Sequence, residues 1–244
     1  MNAAFHGCSF TYGEGFPVDQ RPLYTYPHLV SRELDFEITN LAWPGNSNYK
    51  IFMQAARSLQ QQQFDIVFCQ WTAFNRLWLH PGPDCSFFAS GKANEFRYRD
   101  LYLSSNETQK FSDMLQLLNH DYHNLLDLID YCNILESLAS VSKRKICHIN
   151  GLVPWESDLV VKPAAVEILS KYSKDMLDSI NRDNVETLSF FETLQDKFQL
   201  IKQSNWVNLF DSFVSNMIDF GPEGHHPGIK SHRLMADKIL NHLL

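Results

Sequence analysis

The chain is poor in the features that mark the more specialised classes of protein. It has no apolar run approaching the roughly 20 residues that a bilayer-spanning helix needs, so no membrane span is expected. Its 21 basic and 28 acidic residues leave a net charge of −7. The one basic cluster, Lys143-Arg144-Lys145, suits the end of a helix better than a phosphate backbone, and nucleic acid is not an expected partner. The five cysteines, Cys8, Cys69, Cys85, Cys132 and Cys147, include no C-x-x-C pair and lie mostly inside apolar runs. They read as reduced, buried thiols. The opening MNAAFHG lacks the basic start and long apolar stretch of a secretory leader, so a cytoplasmic location is expected. Phosphate-loop and dinucleotide motifs are also missing, since Gly7 to Gly15 holds neither a Gly-Lys-Ser/Thr ending nor G-x-G-x-x-G. No cofactor is expected.

What is present is ordinary in amount and ordered in pattern. With 44% apolar and 20% charged residues, a 244-residue chain buries roughly 70% of its unfolded surface in one core. A single domain over 1–244 is expected. Short apolar runs alternate with segments of helical period, the pattern of an α/β domain on a parallel sheet. Five strands are expected: Ala3–Cys8, Glu37–Leu41, Asp65–Gln70, Lys145–Asn150 and Trp206–Phe210. Each reads as continuous rather than alternating, as a strand covered on both faces should be.

Helices are expected where apolar residues share one face: Tyr26 to Leu34, Ile51 to Leu59, Phe111 to Ser142 and Ile229 to Leu244. Thr25 with Pro27 marks one start, and Asn46-Ser47-Asn48 can cap another. Two stretches fit no crossover. Residues 79–110, with Pro81-Gly82-Pro83 and several aromatics, read as an insertion or lid, and residues 152–200 have uncertain helix boundaries.

Ligands of open α/β sheets bind at the carboxyl ends of the strands, so the residues just after each run carry the functional information. Ser9 follows the first strand, on a Gly-x-Ser turn that exposes a hydroxyl and aims backbone N–H groups at the same space. Asn40 to Asn48 follows the second, with Gly45 free to let backbone approach a ligand. Gln70 to Arg76 follows the third, and Gly221-Pro222-Glu223-Gly224-His225-His226-Pro227 leads into the last helix.

In this order the segments resemble the blocks of the SGNH/GDSL hydrolases. GCSFTYG is similar to their first block, NLAWPGNSN to their second, and EGHHPG to the last, usually written D-x-x-H-P. The resemblance spans the chain. It implies a three-layer α/β/α sandwich of flavodoxin-like type around a five-stranded parallel sheet. It also implies Ser9 as nucleophile, His226 as general base and Glu223 as the group that orients the imidazole. The backbone N–H groups of Ser9 and Gly45 would form the oxyanion hole.

Three positions depart from the family pattern. Cys8 stands where Asp is usual, and its loss of a structural hydrogen bond leaves Ser9 in place. Glu223 replaces the usual Asp, with Asp219 as the other nearby carboxylate. The third block, G-x-N-D, is absent, and its oxyanion asparagine falls on Thr72 or, alternatively, on Asn75. Arg76 suits either a substrate carboxylate or sulfate or a surface ion pair, and Trp71 and Asn46 are further candidates for substrate contact. Asn40 and Asn48 are expected to pin the turn and cap the helix.

The expected activity is hydrolysis of a carboxylic ester, such as an acetyl ester on a sugar, through an acyl-serine. Its rivals are acyl transfer by the same intermediate and a catalytically weak domain that binds a glycan or partner. No metal site is expected, because adjacent histidines should diverge and H-E-x-x-H or Cys/His spacings are absent; His225 then serves as a spacer and His232 lies on the last helix. His6 is expected to be a satisfied core histidine.

Overall fold

The computed structural model describes residues 1–72, 77–82, 85–89, 121–151, 193, 196–197, 199–209 and 211–244. The described elements run β1 (Asn2–His6), α1 (Ser9–Tyr12), α2 (Arg21–Tyr24), α3 (Tyr26–Leu34), β2 (Glu37–Asn40), α4 (Asn48–Gln61) and β3 (Ile66–Trp71). They continue through β4 (Leu77–Gly82), β5 (Cys85–Ala89), α5 (Asp121–Ser142), β6 (Lys145–Asn150) and α6 (Ile229–Leu243). β2, β1, β3 and β6 form a parallel sheet in that order, while β4 and β5 make a separate antiparallel hairpin.

Alternation along the strands divides the core in two. Ala4, Val67, Cys69, Trp71 and Ile146 face α4 and α5, where Ile51, Ala55, Leu59, Leu128, Ile129, Cys132 and Leu135 close one layer. Ala3, Phe5, Phe68, Cys147 and Ile149 face α3 and α6, meeting Tyr26, Leu29, Val30, Met235, Ala236 and Ile239. Apolar residues on both faces demand helices on both faces, and the three-layer α/β/α arrangement follows. Cys8, Cys69, Cys132 and Cys147 are buried and unpaired, and burial pushes the thiols of Cys69, Cys132 and Cys147 up in pKa, away from reactivity.

Among the described residues no fifth strand is formed. Trp206 makes one parallel bridge to His148 and Val207 N–H reaches the His148 carbonyl at 3.0 Å. The Asn208 amide then takes over both ladder positions on Asn150, accepting its N–H at 2.8 Å and donating to its carbonyl at 2.9 Å. A side chain that satisfies the strand edge removes the need for a backbone ladder there. β1 also stops at His6 instead of Cys8, because Cys8 becomes the extended residue that precedes α1. β2 is an edge strand with alternating half-buried and exposed residues, and is not covered throughout as expected.

α4 is capped by Ser47, whose hydroxyl accepts from Lys50 N–H. The basic cluster does end α5: Lys143 adopts φ 55°, and Arg144 pairs with Asp65 at 2.9 Å. The hairpin starts two residues ahead of the expected insertion and runs into it; 83–84, 90–110 and the expected helical residues 111–120 lie outside the described residues, as does most of 152–200.

Candidate active site

Ser9 is the first residue of the single-turn α1, directly beyond the sheet edge, and is 5% exposed. As a first-turn residue its N–H has no partner within the helix. Gly13, at φ 80°, ends the turn, and the N–H groups of Gly13 and Glu14 both donate to the Ser9 carbonyl at 2.9 Å. The chain therefore doubles back immediately, carrying Glu14 and Gly15 over the serine turn.

His226 packs on that returning segment from the other end of the chain. Its ring meets Phe10 edge-on at 6.0 Å, and a side chain at Gly15 would lie 3.1 Å from its Cβ. Gly15 adopts φ 99°, which an L side chain rarely takes, so this close approach is available to glycine. The backbone N–H of Gly221 donates to the His226 carbonyl at 2.8 Å, and Phe220 bridges Pro227, fixing the loop ahead of α6.

The two nitrogens of His226 face two carboxylates. Nδ1 lies 3.2 Å from Glu223 Oε2, and Nε2 lies 3.3 Å from Glu14 Oε2. The extra methylene of Glu223, relative to Asp, is thus accommodated within one turn of loop. Burial lowers the His226 pKa below the ordinary histidine value, against the opposing pull of Glu14 and Glu223. Among the described residues, His226 bonds to Glu223 and not to the Ser9 hydroxyl, so the expected contact of nucleophile and base is not formed. Asp219 is occupied elsewhere: its carboxylate accepts from the N–H groups of Lys230 and Ser231 and from the Ser231 hydroxyl, capping α6.

The other strand-end residues gather along the same edge. Thr72 follows the His6–Cys69 pair by three residues, as Ser9 does on the neighbouring strand. Its N–H donates to Asn48 Oδ1 at 2.8 Å and its carbonyl accepts from Asn48 Nδ2 at 3.1 Å, so the backbone is held on both sides. The Thr72 hydroxyl is buried and has no hydrogen-bond partner among the described residues. Gly45 adopts φ 78° in a loop tied to the first strand by Trp43 N–H and Asn46 Nδ2, both donating to the Gly7 carbonyl.

Several expectations need correction. Trp71 is 1% exposed and spends its indole N–H on His148 Nδ1 at 3.2 Å, so it is turned into the core and away from substrate. Asn46 is likewise buried on Gly7 and Gln54, as a loop pin. Asn40 pins the serine turn by donating to the Thr11 carbonyl at 2.8 Å, but Asn48 bridges to Thr72 while Ser47 does the capping. His6 is only half satisfied, since Nε2 meets Ser58 at 3.0 Å and Nδ1 has no partner. His225 and His226 do not diverge; their ring centroids are 4.5 Å apart. Asn75 and Arg76 lie outside the described residues.

Two residues of the site, Glu14 beside His226 and Gln70 beneath the serine turn, escaped sequence reading. Fully buried Gln70 accepts on Oε1 from Cys8 N–H at 3.2 Å, from the Cys8 thiol at 3.3 Å and from the Thr11 hydroxyl at 2.8 Å, while its Nε2 donates to the Trp71 carbonyl. Thr11 in turn meets the Tyr26 hydroxyl at 2.6 Å. A Cβ at Gly7 would strike Thr11 and the Gln70 amide oxygen, and one at Gly151 would strike the amide nitrogen. The two glycines make room for the amide that locks the serine turn, and Cys8 keeps a hydrogen bond there. The one available signal for Gln70 was a polar residue ending an otherwise apolar strand.

No family model matches the sequence, and no curated protein does. Solved structures similar to the chain include TesA, at 10% identity over 100% of this chain and 98% of that one, with a TM-score of 0.49. The psychrotrophic esterase EstA from Pseudoalteromonas sp. shares 10% over 99% and 96%, with a TM-score of 0.48. A catalytic variant of the acetylxylan esterase Axe2 from Geobacillus stearothermophilus shares 12% over 99% and 93%, with a TM-score of 0.47. A protein assigned to the G-D-S-L lipolytic family is also among them. The likeness is one of chain path, and the roles of individual residues rest on this chain's own geometry.

Proposed function

We propose that the protein is a serine hydrolase that cleaves a carboxylic ester, an acetyl ester on a sugar being the favoured class, through an acyl-Ser9 intermediate. The observation that carries this reading is His226, bonded through Nδ1 to Glu223 and packed on the turn that Ser9 begins. With its Nδ1 proton held by Glu223, the neutral ring presents a lone pair on Nε2. That nitrogen takes the Ser9 proton as Oγ attacks the ester carbonyl, and returns it to the departing alcohol. Water then enters by the same route, activated by the same nitrogen, and releases the acid.

Glu14, 3.3 Å from Nε2, stabilises the imidazolium that forms at each proton transfer. The hydrogen bond between Ser9 and His226 forms as substrate enters, since catalytic hydrogen bonds commonly tighten only in the substrate complex. The oxyanion that develops is met by the N–H groups of Ser9 and Gly45 and by the Thr72 hydroxyl, which has no competing partner.

Short-chain p-nitrophenyl esters and a fluorophosphonate probe test this reading, with Ser9→Ala and His226→Ala as controls. Turnover and labelling are expected in the parent and absent in both variants. Labelling that survives Ser9→Ala overturns the assignment of the nucleophile. Absence of both turnover and labelling in the parent favours a domain that binds its ligand without cleaving it.

A further inference from the structure

Adjacent to the serine turn, one short loop gathers two imidazoles and a carboxylate. Glu223 Oε2 lies 3.2 Å from His226 Nδ1 and 3.5 Å from His225 Nε2, and one potential ligand atom from each of the three residues falls within 4.8 Å of the others. Gly224, at φ 80°, makes the reversal that folds the following rings back over Glu223. Metal–nitrogen and metal–oxygen bonds of about 2.0–2.2 Å at tetrahedral angles put neighbouring ligand atoms about 3.3 Å apart. Two of the three edges already have that length.

The remaining ring nitrogens have acceptors. His225 Nδ1 meets the Glu223 carbonyl at 3.0 Å; a carbonyl only accepts, so this nitrogen carries the proton and Nε2 carries the lone pair. His226 Nε2 faces Glu14 Oε2 at 3.3 Å, an acceptor for an Nε2 proton. Metal-bound histidines characteristically donate their second N–H to a carboxylate or backbone carbonyl, and both arrangements occur here. In the His226 tautomer protonated at Nε2, the reverse of the metal-free one, the lone pairs of His225 Nε2, His226 Nδ1 and a carboxylate oxygen converge on the position a cation takes.

We propose that Glu223, His225 and His226 form a binding site for a divalent first-row transition cation of the zinc class, with Glu14 as the outer acceptor for His226. Nitrogen and carboxylate donors in a three-residue set suit such an ion, and a fourth position stays open to water. Resting on the serine-hydrolase reading, the site is inhibitory. Coordination takes the Nδ1 lone pair, so the proton of the neutral ring resides on Nε2 and is held by Glu14. A ring protonated at Nε2 does not accept the Ser9 proton, and Glu223 is drawn from its orienting role onto the metal. The ion thus switches the tautomer of the base, and chelation restores it.

Titration of the protein with Zn²⁺ by calorimetry, and with Co²⁺ by its visible absorption, tests the site without substrate. One ion per chain is expected, with affinity at least tenfold weaker in His225→Ala, whose exposed side chain leaves the fold undisturbed. Fluorophosphonate labelling is expected to fall on adding Zn²⁺, to return with a chelator, and to resist the same Zn²⁺ concentration in His225→Ala, each referred to its own metal-free rate. No binding, or equal affinity in parent and variant, overturns the site. Binding that leaves labelling unchanged overturns the switch. A parent that is never labelled, with or without metal, strikes at the serine-hydrolase reading and leaves the metal site to stand on the titrations.

Discussion

Replacing Thr72 by valine separates a catalytic hydroxyl from a structural one, because the two roles move stability in opposite directions. The Thr72 hydroxyl is buried without a partner, and an unsatisfied buried polar group costs about 1–3 kcal/mol. Valine keeps the branched shape and removes that cost. The backbone is held independently by the Asn48 amide on both its N–H and its carbonyl, so the substitution leaves the strand end in place. A gain of about 1 kcal/mol is expected, which for a chain of this size raises Tm by roughly 2–4 °C. If the hydroxyl donates to the oxyanion, kcat falls by about 10²–10³, equivalent to about 2.7–4 kcal/mol, with KM little changed. Thermal unfolding and ester hydrolysis on the same preparation read both quantities. A lower Tm would mean that the hydroxyl is structural, and unchanged kcat would remove Thr72 from the oxyanion hole.

Gln70→Leu leaves the Cys8 N–H and the Thr11 hydroxyl without their acceptor, at about 1–3 kcal/mol each, so a melting curve displaced downward by at least 5 °C or so is expected; an unmoved curve refutes the locking role. Gly15→Ala places a Cβ against His226 at a backbone angle costing about 1–2 kcal/mol for an L residue, and kcat should drop more than tenfold, whereas full activity would show that the base tolerates displacement. Acid should destabilise the fold well above the range of carboxylate titration. Burial holds His6 at about 4 and His232 at about 3, against 6.5 when exposed. The unfolded chain then binds more protons than the folded one below pH 6.5, so stability is complete above that pH and is lost as pH falls toward 4 and 3. At pH 5 each ring contributes a loss of about 2 kcal/mol, and denaturant midpoints that stay level between pH 7 and 5 would refute the assignment.

The layout of the fold was legible because apolar continuity and helical period are local signals. β6 begins and ends where its run does, and α3 and α6 follow their apolar faces closely. The missing strand was illegible for a physical reason: whether Trp206 to Phe210 forms a ladder depends on Asn208 reaching a neighbouring strand, which no periodicity records. Trp71 shows the same limit. Its position after an apolar run suggested the ligand side, and only the partner waiting at His148 turned it inward.

For the site, the sequence by itself determined which chemical groups stand at the strand ends: a serine after β1, a glycine after β2, a threonine after β3, and a Glu-x-x-His ahead of α6. The tertiary structure decided which of them meet. Contacts between residues 14 and 226, or 8 and 70, are set by how two strands and two loops pack across the sheet edge, and neither partner's local sequence encodes the other's position. Glu14 and His225 therefore gained meaning only in three dimensions, where each supplies or shares a hydrogen-bonding atom with the ring of His226 or its carboxylate.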